Sequence, residues 1–354
     1  MVAGHIRLLT SSATIVGKKC RLRLELMGSF VAALVASAAI CFASGAVAAP
    51  EGIDVPITAL AFSPDGSALV SNGPRRVDVR SAKDGVVNSH IACDLPKITS
   101  LCFHPRGEVL ALAGGEPGVR GEARLLDWPA GTIRQRFTNA QDVATGVAFN
   151  VDGILLGVAS ADHKARVWRL AKKNASFAEA FTLSGHAGPV LAIAFSPSGG
   201  TLVTASADRS IKVWSTEDGR LLRTFSHHLE AVNALAFRPV PADQAEMTPS
   251  SCASASDDRT VRIWQPEIGR MVRIIRQHRG PIFALAYAPD GQSVFTAGKE
   301  GIIRRFDADS DTLLSEWAAH SDWTYALAIS RDGSKLASGD WSGSVKLHDL
   351  HGEK

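Results

Sequence analysis

His186-Ala-Gly-Pro-Val-Leu-Ala-Ile-Ala-Phe-Ser-Pro-Ser-Gly-Gly-Thr-Leu-Val-Thr-Ala-Ser-Ala-Asp-Arg-Ser-Ile-Lys-Val-Trp214 is the stretch that decides the fold. It holds three short apolar runs, Val190–Phe195, Leu202–Ala205 and Ile211–Trp214, separated by Ser-Pro-Ser-Gly-Gly and Ala-Asp-Arg-Ser. No run is long enough for a helix, and β-branched residues are frequent, which favours strands. A fourth run, Leu221–Phe225, follows the turn Glu217-Asp218-Gly219. The unit is a four-stranded antiparallel meander.

The unit repeats. First-strand positions recur at Ile57, Ile98, Ala144, Val190, Val232, Ile282 and Thr324, with spacings of 41, 46, 46, 42, 50 and 42 residues. A period of forty-odd residues points to a propeller. Six of the seven first strands run into a turn phrase: Phe62-Ser-Pro-Asp-Gly, Phe103-His-Pro-Arg-Gly, Phe149-Asn-Val-Asp-Gly, Phe195-Ser-Pro-Ser-Gly, Tyr287-Ala-Pro-Asp-Gly and Ile329-Ser-Arg-Asp-Gly. Pro and Gly in that order suit a tight turn between paired strands. The fifth repeat instead reads Phe237-Arg-Pro-Val-Pro and carries an insertion to about Ser251, which accounts for the spacing of 50. The expectation is an all-β fold, a seven-bladed β-propeller of four-stranded antiparallel blades over residues 50–354.

Polar residues mark the same units. In the fourth repeat His186, Thr204, Asp208 and Trp214 stand at fixed spacings, and in the fifth His228, Ser254, Asp258 and Trp264. This resembles the WD40 repeat family, whose Asp–His–Ser/Thr–Trp tetrad has that spacing. The resemblance implies a buried chain in which the indole N–H donates to the hydroxyl, the hydroxyl bonds the histidine and the histidine bonds the carboxylate. Each member has the donors and acceptors this needs. A Ser/Thr–His–Asp catalytic set is the alternative; recurrence of the spacing favours a lock on a turn. The other tetrads are incomplete. The sixth holds His278, Thr296, Glu300 and Phe306, and Phe306 has no N–H, so that chain must end differently. The seventh keeps His320 and Ser338 with Ser342 and His348 in the last two places. The third keeps Asp162 and Trp168 beside Ala140 and Val158, and the first two repeats hold no tetrad residue. The chain stops soon after the third strand of the seventh repeat, and the resemblance implies closure by the N-terminal piece Gly52–Val55.

Residues 1–49 read as a secretory leader. Arg7, Lys18, Lys19, Arg21 and Arg23 precede an apolar run from Met27 to Phe42, which is short for a membrane span, and Ala46-Val47-Ala48 supplies an A-x-A site with cleavage near Ala48. Met27 is an alternative start, and an uncleaved anchor the alternative topology. Ile40 before Cys41 argues against a lipidation site. The whole chain has 38 Lys+Arg, 35 Asp+Glu and net charge +3. Without the leader 33 basic residues face 34 acidic ones, so the basic balance is no evidence for nucleic-acid binding. Three cysteines remain, Cys93, Cys102 and Cys252; the repeat alignment places Cys102 and Cys252 at core positions, and no cofactor motif accompanies them.

No catalytic constellation, phosphate loop or metal motif is present. His227 beside His228 imitates a metal pair, but His228 belongs to a tetrad. The Asp-Gly pairs at Asp65, Asp152, Asp290 and Asp332 are turn residues rather than a calcium site. The reading is a non-catalytic scaffold, a monomeric ring with no cofactor and no metal, that binds a protein or peptide outside the cytoplasm, with a membrane involved only if the leader is uncleaved. A propeller enzyme or small-molecule binder using the central channel is one alternative; its first strands are bland at the axis. An intracellular adaptor is the other, should the leader not be a signal. The resemblance implies partner contacts on the top face, three and five residues after the tetrad histidine and just before the tetrad aspartate. Those positions hold Trp323, Tyr325 and Trp341 in the seventh repeat and Pro281, Phe283 and Lys299 in the sixth. Aromatics are common anchors of binding hot spots. The competing role for the three seventh-repeat residues is packing beneath the Asp340-Trp341-Ser342-Gly343 turn. Residues 1–60 fused to a reporter active only outside the cytoplasm should give signal, and the purified protein should begin at or near Ala49; a cytoplasmic product starting at Met1 is the opposing result.

Overall fold

The structure, a computed structural model, describes residues 55–171, 176–240 and 249–350. Every regular element among them is a strand, and the strands form seven antiparallel sheets, the blades. Blade 4 has the expected meander: Val190–Phe195, Thr201–Ser206, Ile211–Ser215 and Leu221–Phe225, in that order from the axis outward. Its register pairs Phe195 with Leu202 and Leu202 with Trp214. The turn phrases are formed as read. Gly66, Gly107, Gly153, Gly199, Gly291 and Gly333 all have φ between 70 and 82°, a conformation that glycine alone takes without steric cost. In blade 4, Gly199 N–H donates to Ser196 O at 2.9 Å to close the turn.

Six blades have four strands and the seventh has three among the described residues, Thr324–Ile329, Lys335–Asp340 and Val345–Asp349. The leader and most of the proposed closing piece Gly52–Val55 lie outside the described residues; Val55 itself is in no strand. Most of the fifth-repeat insertion likewise lies outside them.

A four-stranded blade cannot bury both faces alone, so each packs against its two neighbours. Seven apolar clusters follow the seven junctions. That between blades 1 and 2 contains twelve buried residues, among them Val70, Leu95, Leu110 and Leu112. The cluster between blades 7 and 1 has five: Ile57, Leu60, Leu69, Ala326 and Ala337. Cys252 is buried as expected, Cys102 partly buried, and none of the three described cysteines is in a disulfide. The closing junction also has a backbone bond from Ile57 N to Asp340 O at 2.9 Å.

Gly339 lies at that junction. A Cβ there would stand 2.3 Å from Ile57 Cγ2 and 2.7 Å from Ile57 Cβ. Gly339→Ala should therefore lower stability by about 1–3 kcal/mol through overpacking. Gly146→Ala, whose Cβ would meet nothing nearer than 3.4 Å, should cost less in the same denaturant titration.

Candidate functional site

Each blade's top is held by polar residues behind its loops. In blade 4 Trp214 Nε1 donates to Thr204 Oγ1 at 2.9 Å, Thr204 pairs with His186 Nε2 at 2.8 Å, and His186 Nδ1 with Asp208 Oδ2 at 2.9 Å. Blade 5 repeats this with Trp264, Ser254, His228 and Asp258 at 2.8, 2.7 and 2.8 Å. Both predicted tetrads are therefore formed. Burial disfavours the Asp208 and Asp258 charges. Bonds from His186, Ser210 and Ala187 N to Asp208, and from His228, Thr260 and Leu229 N to Asp258, outweigh it and hold both carboxyls well below their usual range. Burial also lowers the pKa of His228, favouring the neutral imidazole that can both donate and accept. Thr204 and Ser254 are fully buried, and their oxygens accept an indole N–H. No substrate can reach them, so the set is a lock and not a nucleophile. His227 packs its ring on Trp264 at 5.5 Å.

The incomplete repeats have found other donors. In blade 6 the chain runs backwards: Arg304 Nη1 donates to His278 Nδ1 at 3.1 Å and to Glu300 at 2.5 Å, and His278 Nε2 is 3.2 Å from Thr296 Oγ1. Burial and the Arg304 charge push His278 down to about 3. In blade 7 the carboxylate comes from Asp340, two positions before the expected Ser342. Trp317 donates to His348 at 3.2 Å, His348 pairs with Ser338 at 2.9 Å, Ser338 with His320 at 2.7 Å, and His320 with Asp340 at 3.0 Å. Burial and the neighbouring His320 push His348 down to about 4. In blade 3, Asp162 pairs with Arg166 at 2.8 Å and accepts from Gln141 N. Blade 1, expected to hold no tetrad residue, keeps the buried hydroxyl as Ser71, and blades 1 and 2 both have locks of their own. Arg80 Nε donates to Ser71 Oγ at 3.0 Å, and Arg124 bridges Glu122 (2.6 Å) and Asp94.

Above these locks three rings of side chains surround the channel mouth. The residue before the tetrad-aspartate position donates its N–H to the carbonyl at the start of the inner strand in five blades: Ala161 to Val143, Ala207 to Pro189, Asp257 to Ala231, Lys299 to Pro281 and Trp341 to Trp323, all at 2.8–3.0 Å. The third ring is made by a register shift. One inner-strand residue per blade is unpaired and turns toward the axis: Thr99, Thr145, Leu191, Asn233, Phe283 and Tyr325, with Thr58 in the corresponding place of blade 1. Such bulges re-aim side chains.

These residues are of two kinds, polar in blades 1, 2, 3 and 5 and apolar in blades 4, 6 and 7. Each polar one donates to the next blade's inner-strand carbonyl: Thr58 to Ile98 (3.2 Å), Thr99 to Ala144 (2.5 Å), Thr145 to Val190 (2.5 Å) and Asn233 to Ile282 (2.9 Å). The apolar ones, Leu191, Phe283 and Tyr325, join Val143 and Ala231, with Trp323 and Trp341 at the edge. Phe283 and Tyr325 stack at 4.7 Å, Trp323 and Trp341 lie 6.4 Å apart, and Lys299 Nζ stands 5.1 Å over the Trp323 ring. All five sequence-predicted contact residues thus meet. Two of them are not exposed: Phe283 and Tyr325 are each 3% accessible and plug the mouth, leaving Trp323 and Trp341 half-buried at its rim. The first strands are also less bland than expected, because the threonines and Asn233 face the axis. The period-two alternation of a strand hides such residues; the sign was a polar residue recurring one place after four of the seven anchors, at Thr58, Thr99, Thr145 and Asn233. A cavity of about 200 Å³ is lined by these axis-facing residues together with Leu60, Leu101, Ile193, Leu235, Leu285 and Leu327.

Comparison with known proteins agrees with this geometry. The family model described as WD domain, G-beta repeat matches residues 131–169, 178–215, 219–265, 269–307 and 311–349, more than half of the chain. The chain is similar to the COMPASS component SWD3 of Saccharomyces cerevisiae, 31% identical over 137 residues, 38% of this chain and 40% of that one. It is also similar to the nuclear distribution protein PAC1 of Arthroderma otae, 26% identical over 183 residues, 49% of this chain and 36% of that one. An uncharacterized WD repeat-containing protein of Synechocystis is 30% identical over 143 residues, 40% of this chain and 38% of that one. The matched part therefore spans about two fifths of these relatives' own length.

Trp214→Phe should leave the buried Thr204 hydroxyl without its indole donor and lower stability by roughly 1–3 kcal/mol. Trp168→Phe should cost less, because Val158 stands where the hydroxyl would be. Equal denaturation midpoints for the two variants would show that the hydrogen-bonded chain adds nothing.

Proposed function

We propose, from the premise that the chain belongs to the WD40 repeat family, that it is a non-catalytic scaffold which binds a protein or peptide on its top face, outside the cytoplasm. The observation that carries the reading is the aromatic rim. Trp323 and Trp341 are half-buried side by side, backed by the buried Phe283–Tyr325 stack and joined through the Trp341 N–H to Trp323 O bond at 2.8 Å. Large rings held rigid at a concave mouth give up little entropy on binding, which suits them as anchors. A relative named as a component of COMPASS supports an assembly role in general terms. The site outside the cytoplasm rests on the leader alone.

A channel acting on a small molecule is the weaker reading. The cavity of about 200 Å³ is smaller than the roughly 300–1,000 Å³ of typical ligand pockets. In a pull-down from the native source, Trp323→Ala and Trp341→Ala should each lose a partner while keeping the melting temperature of the parent. Tyr325→Ala should instead melt early, since it removes a buried ring, at a cost of roughly 3–5 kcal/mol. Retention of every partner by both tryptophan variants would place the interaction elsewhere.

A further inference from the structure

The outer edge of blade 7 is short of a strand. Among the described residues Val345–Asp349 pairs with Lys335–Asp340 on one side and with no strand on the other. In each of the other six blades the third-strand residue at the place of Val345 faces an apolar residue of the outer strand: Ile91, Phe137, Leu183, Phe225, Ile275 or Trp317. Those six third-strand residues are at most 2% accessible, whereas Val345 is only partly buried. The apolar cluster at this junction is the smallest of the seven among the described residues. Beneath it a cavity of about 610 Å³ opens between Phe62, Ser67 and Lys83 of blade 1 and Arg331 and Lys335 of blade 7.

Register limits what the chain itself can supply here. In all six cases the apolar outer-strand residue stands seven places before the next repeat's first-strand position, from Ile91 before Ile98 to Trp317 before Thr324. Seven places before Ile57 is Pro50, which has a small ring and no N–H for a ladder bond. Gly52–Val55 aligns with Gly185–Gly188, which lie between strands in blade 4. The closing piece expected from the sequence therefore misses the place of an outer strand.

We propose that the missing strand is an extended segment of a second protein, paired antiparallel with Val345–His348, with a large apolar side chain opposite Val345 and a carboxylate opposite Lys346. A strand added at an open edge takes its affinity from the backbone ladder and its selectivity from alternate side chains. The flanks set the width. Leu347 lies beside Gly85 of blade 1 and His348 beside Trp317 of blade 6, and both those blades have an outer strand. The recess between them takes one strand rather than the side of another ring. The place opposite Lys346 holds a polar partner in both flanking blades, Glu316 to Arg304 at 2.9 Å and His90 to Asp78 at 2.7 Å. Lys346 is exposed, with its Nζ donating to Ala319 O at 2.5 Å, so an acidic residue fits. This edge lies apart from the aromatic rim, and the inference does not rest on the top-face reading.

The probe is a labelled synthetic peptide copying residues 312–319, Thr-Leu-Leu-Ser-Glu-Trp-Ala-Ala, whose register in blade 6 would set its tryptophan opposite Val345 and its glutamate opposite Lys346. Its binding to the full chain is followed by fluorescence anisotropy and by amide hydrogen exchange. The peptide should bind and slow exchange at residues 345–348. Alanine in place of its tryptophan should weaken binding about thirtyfold or more. Lysine in place of its glutamate should weaken it about threefold or more, and Lys346→Glu in the protein should restore that peptide's affinity. Should Lys346→Glu melt early, the two peptide substitutions on the parent chain still read the pairing. Amides at 345–348 that exchange slowly in the chain alone show the edge already covered, by its own N-terminal segment or, where protection rises with concentration, by a second copy; either overturns the inference. A fast-exchanging edge that the peptide does not slow, or binding indifferent to both peptide substitutions, overturns it as well.

Discussion

One buried hydroxyl in the second strand of five of the seven blades sets the rest. Ser71, Thr204, Ser254, Thr296 and Ser338 are all fully inaccessible, and a buried hydroxyl is tolerable only when bonded. Each blade that keeps the hydroxyl has found it a partner. Trp214 and Trp264 donate by their indoles, Arg80 by Nε, His348 by its ring, and in blade 6 the histidine and arginine take over because Phe306 cannot donate. Blades 2 and 3 remove the demand by placing Leu112 and Val158 there. The residues vary, but the electrostatic condition is met in each case, which is why a ring with only two full tetrads forms seven similar blades.

That condition also explains what could be read from the chain. Strand lengths, turn glycines and the two full tetrads depend on spacing along the sequence, and all were legible. The substitutes depend on register between strands. Arg80 reaches Ser71 only because the hairpin sets Ser71 opposite Asp78 and Leu69 opposite Arg80. Asp340 serves His320 although the repeat alignment points to Ser342, because Asp340 pairs with Thr324 at the top of the inner strand and its other oxygen holds Ser342 and Ser344. At the mouth the four aromatics were legible as one group, but their depth was not. Phe283 and Tyr325 stand on bulges that turn them inward, against the strand's period of two.

The locks and the mouth respond to acid in opposite senses. His278 and His348 are held neutral, with folded values of about 3 and about 4 below the ordinary 6.5. Their contribution is full above the unfolded value and is lost as pH falls through the window beneath it. Asp257 is raised from 3.8 to about 7, so the native state takes up a proton more readily than the unfolded chain. That contribution is present at low pH and lost as pH rises through about 7. Near neutrality the blades are therefore at their firmest while the mouth carries a carboxylate at a cost in stability. A polar group kept at such a cost, where alanine serves in neighbouring blades, is a common mark of a functional position.

Rigidity of the rim follows from the same seventh-blade network. Trp341 succeeds Asp340 directly, so the carboxylate that anchors the His320–Ser338–His348 chain also fixes the turn that presents the ring. On the other side, Trp341 N–H is bonded to Trp323 O and Trp323 N–H to Asp322. Both indoles thus stand on backbone held at two points, above a stack whose rings are buried. The unusual placement of the seventh carboxylate, which looks like decay when judged by spacing, brings the lock of that blade next to the half-buried Trp341. Packing and presentation are one arrangement here: Phe283 and Tyr325 fill the mouth, and in filling it they leave Trp323 and Trp341 no room to fold inward.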